Sequence, residues 1–300
     1  MIVGVRMHAD EADIDTALVR RLVAGQFPAL ADLPVEPVVS SGTDNAMYRL
    51  GEDLAVRLPR FPAAARNVDE EQRWVPRVAP RLPVAVPAPV GRGKPTEDYP
   101  YPWSICRWVP GANPIVGALA EPDRLARDVA AFVTALRQVD PAGVPASGRG
   151  MPLAARDAPT RAAIAACDGL IDTVAVTALW DDALRVPAWQ GPPTWMHADL
   201  SPGNLLVRDG RLCAVIDWGG AGVGDPTVDL IIAWNLLPAS ARRTFRDALA
   251  ADDDTWRRGR GWALSISLIQ LPYYQHTNPA LAANSRHVIS EILADEVTDE

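Results

Sequence analysis

The decisive stretch of this sequence is WMHADLSPGN at residues 195–204, which is followed by AVIDWG at residues 214–219. Two apolar runs lie between these polar segments, and an Asp-Gly dipeptide, typical of hairpin turns, joins the runs. Because a hairpin returns the chain to its starting edge, we expect Asn204 to lie close to Asp217. Asp199 belongs to the same loop as Asn204. Three oxygen-bearing side chains are therefore predicted to converge on one point.

These three side chains suit phosphoryl transfer. In that chemistry a divalent metal offsets the charge of the transferred group, and a carboxylate takes the proton of the acceptor hydroxyl. Mg²⁺ prefers oxygen ligands and retains several waters, so one carboxylate and one amide are enough on the protein side. We therefore predict that Asp199 is the catalytic base and that Asn204 and Asp217 bind the metal. His197 is predicted to brace the loop.

A third motif follows, and the set of motifs resembles a known family. The spacing His-x-Asp-x-x-x-x-Asn, the tetrapeptide Ile-Asp-Trp-Gly and the later GDPTVD at residues 224–229 are together similar to the aminoglycoside phosphotransferase family. The similarity is close over residues 195–234 and looser in the N-terminal half. It implies that Asp225 and Asp229 support the catalytic loop. It also implies a kinase that transfers the γ-phosphoryl group of ATP or GTP, with Mg²⁺, to a hydroxyl of a small molecule.

The resemblance leaves the acceptor open. Members of the family act on aminoglycosides, on macrolides and on ordinary metabolites, so antibiotic resistance is one implied role. The acceptor pocket varies within the family, and the catalytic loop does not report on it.

The resemblance further implies a bilobal α+β fold of the protein-kinase type. A small N-terminal lobe with an antiparallel sheet, residues 1–107, would bind the nucleotide, and a larger, mostly α-helical lobe, residues 108–300, would hold the catalytic loop and the acceptor. Local patterns agree, because strand-like alternation comes first and helical spacing later. Strands are predicted at residues 35–39, 46–50, 54–58 and 102–109, and helices at residues 11–26, 67–75, 122–139, 161–184, 239–250, 256–274 and 279–294.

The predicted phosphate-binding residues lie in the N-terminal lobe. A small, polar loop around Gly42 would fold over the phosphates, although an ordinary hairpin loop has the same composition. By the resemblance, Arg57 stands where a lysine is usual, and arginine keeps the charge in a wider, planar fork. Arg60 is a nearby competitor for this role. The resemblance also implies that Glu71 is the partner of Arg57. Glu70, which would face elsewhere on the helix, is the alternative.

The strand at residues 102–109 is predicted to lead into the connection between the lobes. In the kinase-like architecture the main-chain groups of Arg107, Trp108 and Val109 would meet the adenine ring, and the lobe boundary would lie near Trp108. The alternative is that this segment is only the edge of a sheet.

The composition limits the partners. Arginine and lysine total 29 against 37 acids, which gives a formal charge of −8 and a pI near 5.1. This balance argues against nucleic acid and mildly favours a cationic acceptor, although an ordinary acidic cytosolic protein has the same balance. Acids at residues 252–254 and 295–300 are candidates to neutralise amines at the rim of the pocket. The sequence does not indicate an oligomeric state.

The cysteines and the apolar runs predict a cytoplasmic protein without a membrane segment. Cys106, Cys167 and Cys213 form no CxxC pair and suit a reducing compartment. The N-terminus lacks the apolar core of a signal peptide, and no apolar run is long enough to span a bilayer.

Three other functions compete with a small-molecule kinase. A protein kinase is disfavoured because residues 219–223 leave no room for an activation segment. A metallohydrolase with His197, Asp199 and Asp217 as ligands would need more histidines nearby. A nucleotide-binding module without catalysis is supported only by the replacement at Arg57.

Overall fold

The computed structural model describes residues 12–38 and 44–299, with side chains to residue 295. Its contacts divide the chain into two compact units. The first consists of Met1–Pro80, Ala85–Pro110 and Ala214–Gly219, and the second of Arg81–Val84, Gly111–Cys213 and Gly220–Glu300. The segment Ala214–Gly219 thus belongs to the N-terminal unit. A single boundary near Trp108 does not account for this segment. That boundary stays a prediction.

The N-terminal unit contains a five-stranded antiparallel sheet. The strands are β1 (Val35–Pro37), β2 (Asn45–Leu50), β3 (Leu54–Pro59), β4 (Pro89–Gly93) and β5 (Trp103–Arg107), in the spatial order β1-β2-β3-β5-β4. Alternate residues of β2 are buried, as expected for a strand with one face on the core. The central strand β3 is buried along its length except at Arg57, which lies opposite Met47 on β2 and Ser104 on β5. Both neighbouring strands therefore fix the position of Arg57.

Three helices accompany this sheet: α1 (Thr16–Gln26), α2 (Pro62–Ala65) and α3 (Asn67–Val78). The side chain of Asp15 caps α1 by accepting a hydrogen bond from the backbone N–H of Leu18 at 2.7 Å. Helix α3 is predicted to end at residue 75, before Pro76, but it continues to Val78. Proline removes one helical hydrogen bond, and the burial of Val75 and Val78 on the same helix compensates for that loss.

The second unit is mostly helical. Its helices are α4 (Pro122–Arg137), α5 (Asp157–Ala166), α6 (Thr173–Arg185), α7 (Ile232–Asn235), α8 (Ala239–Ala248), α9 (Asp253–Tyr274) and α10 (Pro279–Asp299). The prediction of one helix over residues 161–184 is wrong. Helix α5 ends at Ala166, and Gly169 beyond it has φ +72°, which a right-handed helix does not allow. Asp172 then caps the next helix by accepting the N–H groups of Val174 and Ala175.

Two short sheets frame the motif region. Strand β6 (Thr194–Met196) pairs antiparallel with β9 (Gly222–Gly224), and β7 (Leu205–Arg208) pairs with β8 (Arg211–Val215). Asp209 and Gly210 between β7 and β8 both have positive φ, at +51° and +72°. This is the turn geometry that an Asp-Gly dipeptide favours, so the predicted hairpin is confirmed.

The predicted α+β organisation, with an antiparallel sheet first and helices later, is confirmed. Within the described residues, no helix combines the length and the apolar character that a membrane span requires.

Candidate active site

The loop after β6 is held by one buried carboxylate. Oδ2 of Asp229 accepts a hydrogen bond from the backbone N–H of His197 at 3.0 Å, and Oδ1 accepts one from that of Ala198 at 2.7 Å. Ala198 has φ +67°, a left-handed conformation that residues other than glycine adopt at a cost. Burial raises the pKa of Asp229, although the neighbouring imidazole of His197 and the two N–H groups oppose this effect. The two hydrogen bonds stabilise the strained turn that presents Asp199.

Both carboxylate oxygens of Asp199 have a partner. Oδ1 accepts a hydrogen bond from Nη1 of Arg149, and Oδ2 accepts one from Nδ2 of Asn204 at 2.9 Å. Burial raises the pKa of Asp199, but the charge and hydrogen bond of Arg149, followed by His197 and Asn204, outweigh burial and lower the pKa. The carboxylate is therefore ionised at neutral pH, which is the state required of a proton acceptor.

His197 and Asn204 connect Asp199 to the rest of the loop. Nδ1 of the buried His197 accepts the backbone N–H of Asp199 at 3.3 Å. Nδ2 of Asn204 donates a second hydrogen bond to the backbone oxygen of Asp199 at 2.9 Å. Because its amide nitrogen is committed to Asp199, the amide oxygen of Asn204 is the atom that remains for a metal.

Asn113 is a supporting residue that sequence patterns did not identify. Its Nδ2 lies 3.3, 2.9 and 2.8 Å from the carbonyl oxygens of Pro202, Gly203 and Leu205. One side-chain amide group thus serves as hydrogen-bond donor to the carbonyl groups of the turn that carries Asn204. An isolated asparagine about 90 residues earlier in the chain carries no signal of such a contact.

Arg149 is the second residue that was missed. In addition to Asp199, its Nη1 contacts the carbonyl oxygen of Ala198 at 2.9 Å. The side chain is 36% exposed, so a charged group lies at the surface directly beside the candidate base. The only local signal is a pair of flanking glycines, Gly148 and Gly150.

Asp225 supports the segment after β9. Its Oδ1 accepts the N–H of Thr227 at 3.0 Å, and its Oδ2 lies 3.5 Å from Nε of Arg258 in a buried ion pair. The backbone N–H of Asp225 donates to the carbonyl of Gly150 at 3.0 Å. Asp225 therefore stabilises its own turn, and within the described part of the chain it does not contact Asp199.

A second charged cluster lies in the N-terminal unit. Nη1 of Arg57 is 2.6 Å from Oε2 of Glu71, and Nη2 is 3.1 Å from Oδ1 of Asp217. The side chains of Arg57 and Glu71 are each 12% exposed, whereas that of Asp217 is 40% exposed. Burial lowers the pKa of Arg57, but Glu71 and Asp217 outweigh burial and raise it. The guanidinium group of Arg57 is thus fully charged. Asp217, which has φ +61°, keeps its carboxylate partly exposed to solvent.

The structure distinguishes the two candidate acids on α3. Glu71 is the one that pairs with Arg57, whereas Oε2 of Glu70 accepts a hydrogen bond from Nε1 of Trp74 at 2.7 Å. The two neighbouring positions face different directions, as expected on a helix.

In the segment predicted to bind the nucleotide base, two of the three backbone N–H groups already donate to carbonyl groups of the protein. The backbone N–H groups of Arg107 and Trp108 donate to the carbonyls of Ala88 and Asp53, each at 2.8 Å. Among the described residues, the N–H of Val109 donates to no acceptor. Of the three predicted residues, Val109 is therefore the one whose N–H remains as a proposed donor to the nucleotide base. The predicted phosphate loop residue Gly42 lies outside the described residues.

The donor set fits magnesium better than zinc. Among residues 12–38 and 44–295 there is no group of three or more His, Cys, Asp or Glu side chains able to hold a metal. Asp217 and Asn204 supply one carboxylate and one amide oxygen, which suits an ion that keeps waters and binds phosphate oxygens. The two residues belong to different units, so their joint binding of Mg²⁺ stays a proposal.

Solved structures share this fold. A GDP and kanamycin complex of APH(2")-IIia has a TM-score of 0.75 at 20% identity, over 93% of this chain and 99% of the other. A GDP complex of aminoglycoside 2'-phosphotransferase-IIIa has a TM-score of 0.73 at 19% identity, over 94% and 100%. Macrolide 2'-phosphotransferase MphH of Brachybacterium faecium has a TM-score of 0.63 at 23% identity, over 91% and 97%. The fold is that of protein-kinase-like phosphotransferases.

The sequence carries the family relationship itself. Residues 36–262 match the phosphotransferase enzyme family, APH, and the chain belongs to that family. An aminoglycoside 3'-phosphotransferase of Escherichia coli is 36% identical over 59 residues, which is 20% of this chain. The match spans 22% of that relative, about a fifth of its length.

Proposed function

We propose that this protein transfers the γ-phosphoryl group of ATP or GTP to a hydroxyl of a small molecule. The observation that carries the proposal is the charged cluster of Arg57, Glu71 and Asp217. Kinase chemistry requires a strand cation paired with a helix acid, next to an acid that binds the metal. In this chain β3 supplies the cation, α3 supplies its partner, and the Ile-Asp-Trp-Gly segment supplies the exposed acid.

In the proposed reaction the acceptor oxygen forms a bond to the γ-phosphorus while the bond to the β–γ bridging oxygen breaks. The nucleoside diphosphate leaves with that oxygen, and the proton of the hydroxyl passes to the carboxylate of Asp199. Asp199 suits this role because it is ionised and held at both oxygens. His197 and Asp229 keep its backbone in place, and Asp225 holds the adjoining turn.

The nucleotide would be bound by the N-terminal unit. Arg57, oriented by Glu71, would contact the phosphates, and the loop around Gly42 would cover them. Val109 would offer its backbone N–H to the base. A bound Mg²⁺ would offset phosphate charge, with Asp217 and Asn204 as its protein ligands.

The acceptor is a small molecule in this proposal. Relatives are named for aminoglycosides and for a macrolide, and one solved structure holds kanamycin, so an antibiotic is one candidate class. The net charge of −8 favours a cationic acceptor of that kind, whereas the charge of Arg149 next to Asp199 opposes it. The three cysteines are free, which fits the proposed cytoplasmic location.

A coupled assay of nucleoside diphosphate release tests the proposal. The full chain would be supplied with ATP or GTP, Mg²⁺ and a panel of hydroxylated antibiotics and metabolites. We expect release that depends on one acceptor class and that gives a phosphorylated product by mass spectrometry. Tight nucleotide binding without transfer to any member of a broad panel would contradict phosphotransferase activity and favour a nucleotide-binding module.

A further inference from the structure

Arg149 lies in a loop that is fixed against β9. The N–H of Ser147 donates to the carbonyl of Val223 at 3.0 Å, and Oγ of Ser147 accepts the N–H of Arg149 at 3.2 Å. A Cβ on Gly150 would lie 2.9 Å from the carbonyl oxygen of Val223, so a glycine is needed for this close approach. The backbone therefore holds Arg149 beside Asp199.

Part of the Arg149 guanidinium has no protein partner. Both of its hydrogen bonds, to Asp199 and to Ala198, come from Nη1. Within the described part of the chain, Nε and Nη2 donate to no acceptor, and the side chain is 36% exposed. Two donor nitrogens of a fixed cation, with three N–H groups, are thus available to a ligand next to the candidate base.

A second arginine, Arg156, follows Arg149 in the same connecting segment and interacts with it electrostatically. Burial, and then the charge of Arg149, lower the pKa of Arg156, and no described carboxylate offsets these two effects. The side chain of Arg156 is held instead by Nε donating to Oγ of Ser265 at 3.3 Å and by the ring of Trp262, 5.6 Å from its Cζ. Arg149 is paired with Asp199, whereas Arg156 has no carboxylate partner among the described residues, so an additional anion would stabilise these two cations.

The other arginines of the neighbouring segments are already paired with acids. Arg161 pairs with Asp157 and Asp181, Arg257 and Arg260 pair with Asp182, and Arg258 pairs with Asp225. Arg156 has no such partner among the described residues, so it is the second arginine that remains for a ligand.

Three of the acids expected to receive amines have partners within the protein, and the side chains of residues 296–300 lie outside the described part of the chain. Asp252 caps α9 by accepting the N–H of Thr255 at 2.7 Å, and Asp253 pairs with Arg246. Asp295 lies 2.7 Å from Nη2 of the buried Arg242. These contacts leave the three acids with structural roles.

We propose that the acceptor carries an anionic group, a carboxylate or a phosphate, and that Arg149 and Arg156 bind this group beside the hydroxyl that Asp199 deprotonates. The inference rests on the proposed function, since it names the acceptor class of the same site. Arginine suits the role because its planar fork matches both oxyanions.

Binding of three related polyols tests the inference. D-sorbitol is neutral, D-gluconate adds a carboxylate and sorbitol 6-phosphate adds a phosphate, while kanamycin serves as a polycation. Isothermal titration would use the full chain with Mg²⁺ and a non-hydrolysable ATP analogue. We expect at least one anionic polyol to bind about tenfold or more tightly than sorbitol and kanamycin. The stronger of the two anions identifies carboxylate or phosphate as the preferred group.

Three variants locate the effect. Arg156→Gln should abolish the preference, and Arg156→Lys, which keeps the charge, should retain most of it. Arg161→Gln is the matched control, because Arg161 is a more exposed arginine already paired with Asp157 and Asp181. Equal or tighter binding of sorbitol or kanamycin, absence of binding by both anions, or an unchanged preference in Arg156→Gln would overturn the inference.

Product assays on the same compounds separate this inference from the proposed function. Anion preference without diphosphate release from any acceptor would contradict the kinase proposal and leave the anion site standing. Turnover of kanamycin alone would support the kinase and contradict the anionic acceptor.

Discussion

Nδ2 of Asn204 lies 2.9 Å from Oδ2 of Asp199 and donates a hydrogen bond to it. One side chain thus joins the proposed base to a proposed metal ligand, since the amide oxygen of Asn204 remains for the metal. Arg149 occupies the other carboxylate oxygen, so Asp199 has little freedom to rotate. The geometry suits a base that must meet an acceptor hydroxyl in one orientation.

Replacement of Arg57 is predicted to weaken nucleotide binding. The guanidinium is buried and charged, and hydrogen bonds from a charged group are worth about 1.5–3 kcal/mol. Arg57→Ala should therefore raise the nucleotide Kd by about 10- to 100-fold. Arg60→Ala, near the end of the same strand, is the control and should change the Kd by less than about threefold. Similar Kd values for the two variants in a titration with an ATP analogue would contradict the role of Arg57.

Glu71→Gln is predicted to affect the nucleotide through Arg57. The variant removes the closer of the two charges that orient the guanidinium, so the nucleotide KM should rise by about 3- to 10-fold. Glu70→Gln is matched in chemistry, one position away, and retains an acceptor for Trp74. Steady-state kinetics should show no more than a small change in Glu70→Gln. A larger effect of Glu70→Gln would show that the wrong acid has been assigned.

Asp217→Asn is predicted to raise the magnesium requirement. The substitution removes a negative ligand from a doubly charged ion and one partner from Arg57. The Mg²⁺ concentration for half-maximal activity should rise by about tenfold or more, with weaker nucleotide binding and slower turnover. Magnesium titrations at several nucleotide concentrations measure both effects. An unchanged magnesium dependence would exclude Asp217 as a metal ligand.

Asp229→Ala is predicted to destabilise the fold. The substitution leaves the buried N–H groups of His197 and Ala198 without an acceptor, and the free energy of unfolding should fall by about 1–3 kcal/mol or more. Urea denaturation without ligands measures this change. Asp254→Ala, at an exposed position in the first turn of α9, should stay within about 0.5 kcal/mol of the parent protein. An equal effect of the two substitutions would mean that Asp229 does not hold the loop.

The sequence predicted the parts of the site that depend on local patterns. The hairpin after Asn204 follows from an Asp-Gly dipeptide between apolar runs, and the strand containing Arg57 follows from its apolar neighbours. The choice of Glu71 over Glu70 came from the family resemblance, and helical geometry added only that the two acids face different directions. The division of residues 161–184 into two helices was missed because Gly169 is compatible with a helix until its positive φ is known.

The contacts of Arg149 and Asn113 could not be predicted in this way. Arg149 reaches Asp199 across 50 residues of sequence, and Asn113 reaches Gly203 across 90. Neither residue has a spacing or periodicity that links it to its partner. Local rules describe turns and faces, whereas these contacts depend on how separate loops pack. The charge beside the base, which bears most on the acceptor, was therefore absent from the sequence prediction.

The most direct test of the central claim is phosphoryl transfer by Asp199→Asn, measured with nucleotide binding on the same preparation. Transfer of labelled γ-phosphate to an acceptor found with the parent protein gives kcat, and titration with an ATP analogue gives the Kd. Loss of a general base costs about 10²- to 10⁴-fold in rate, or roughly 3–5 kcal/mol of barrier. We predict a loss of that size with a nearly unchanged nucleotide Kd. Retention of most activity in Asp199→Asn, or a loss of nucleotide affinity as large as the loss of rate, would contradict the assignment of Asp199 as the base.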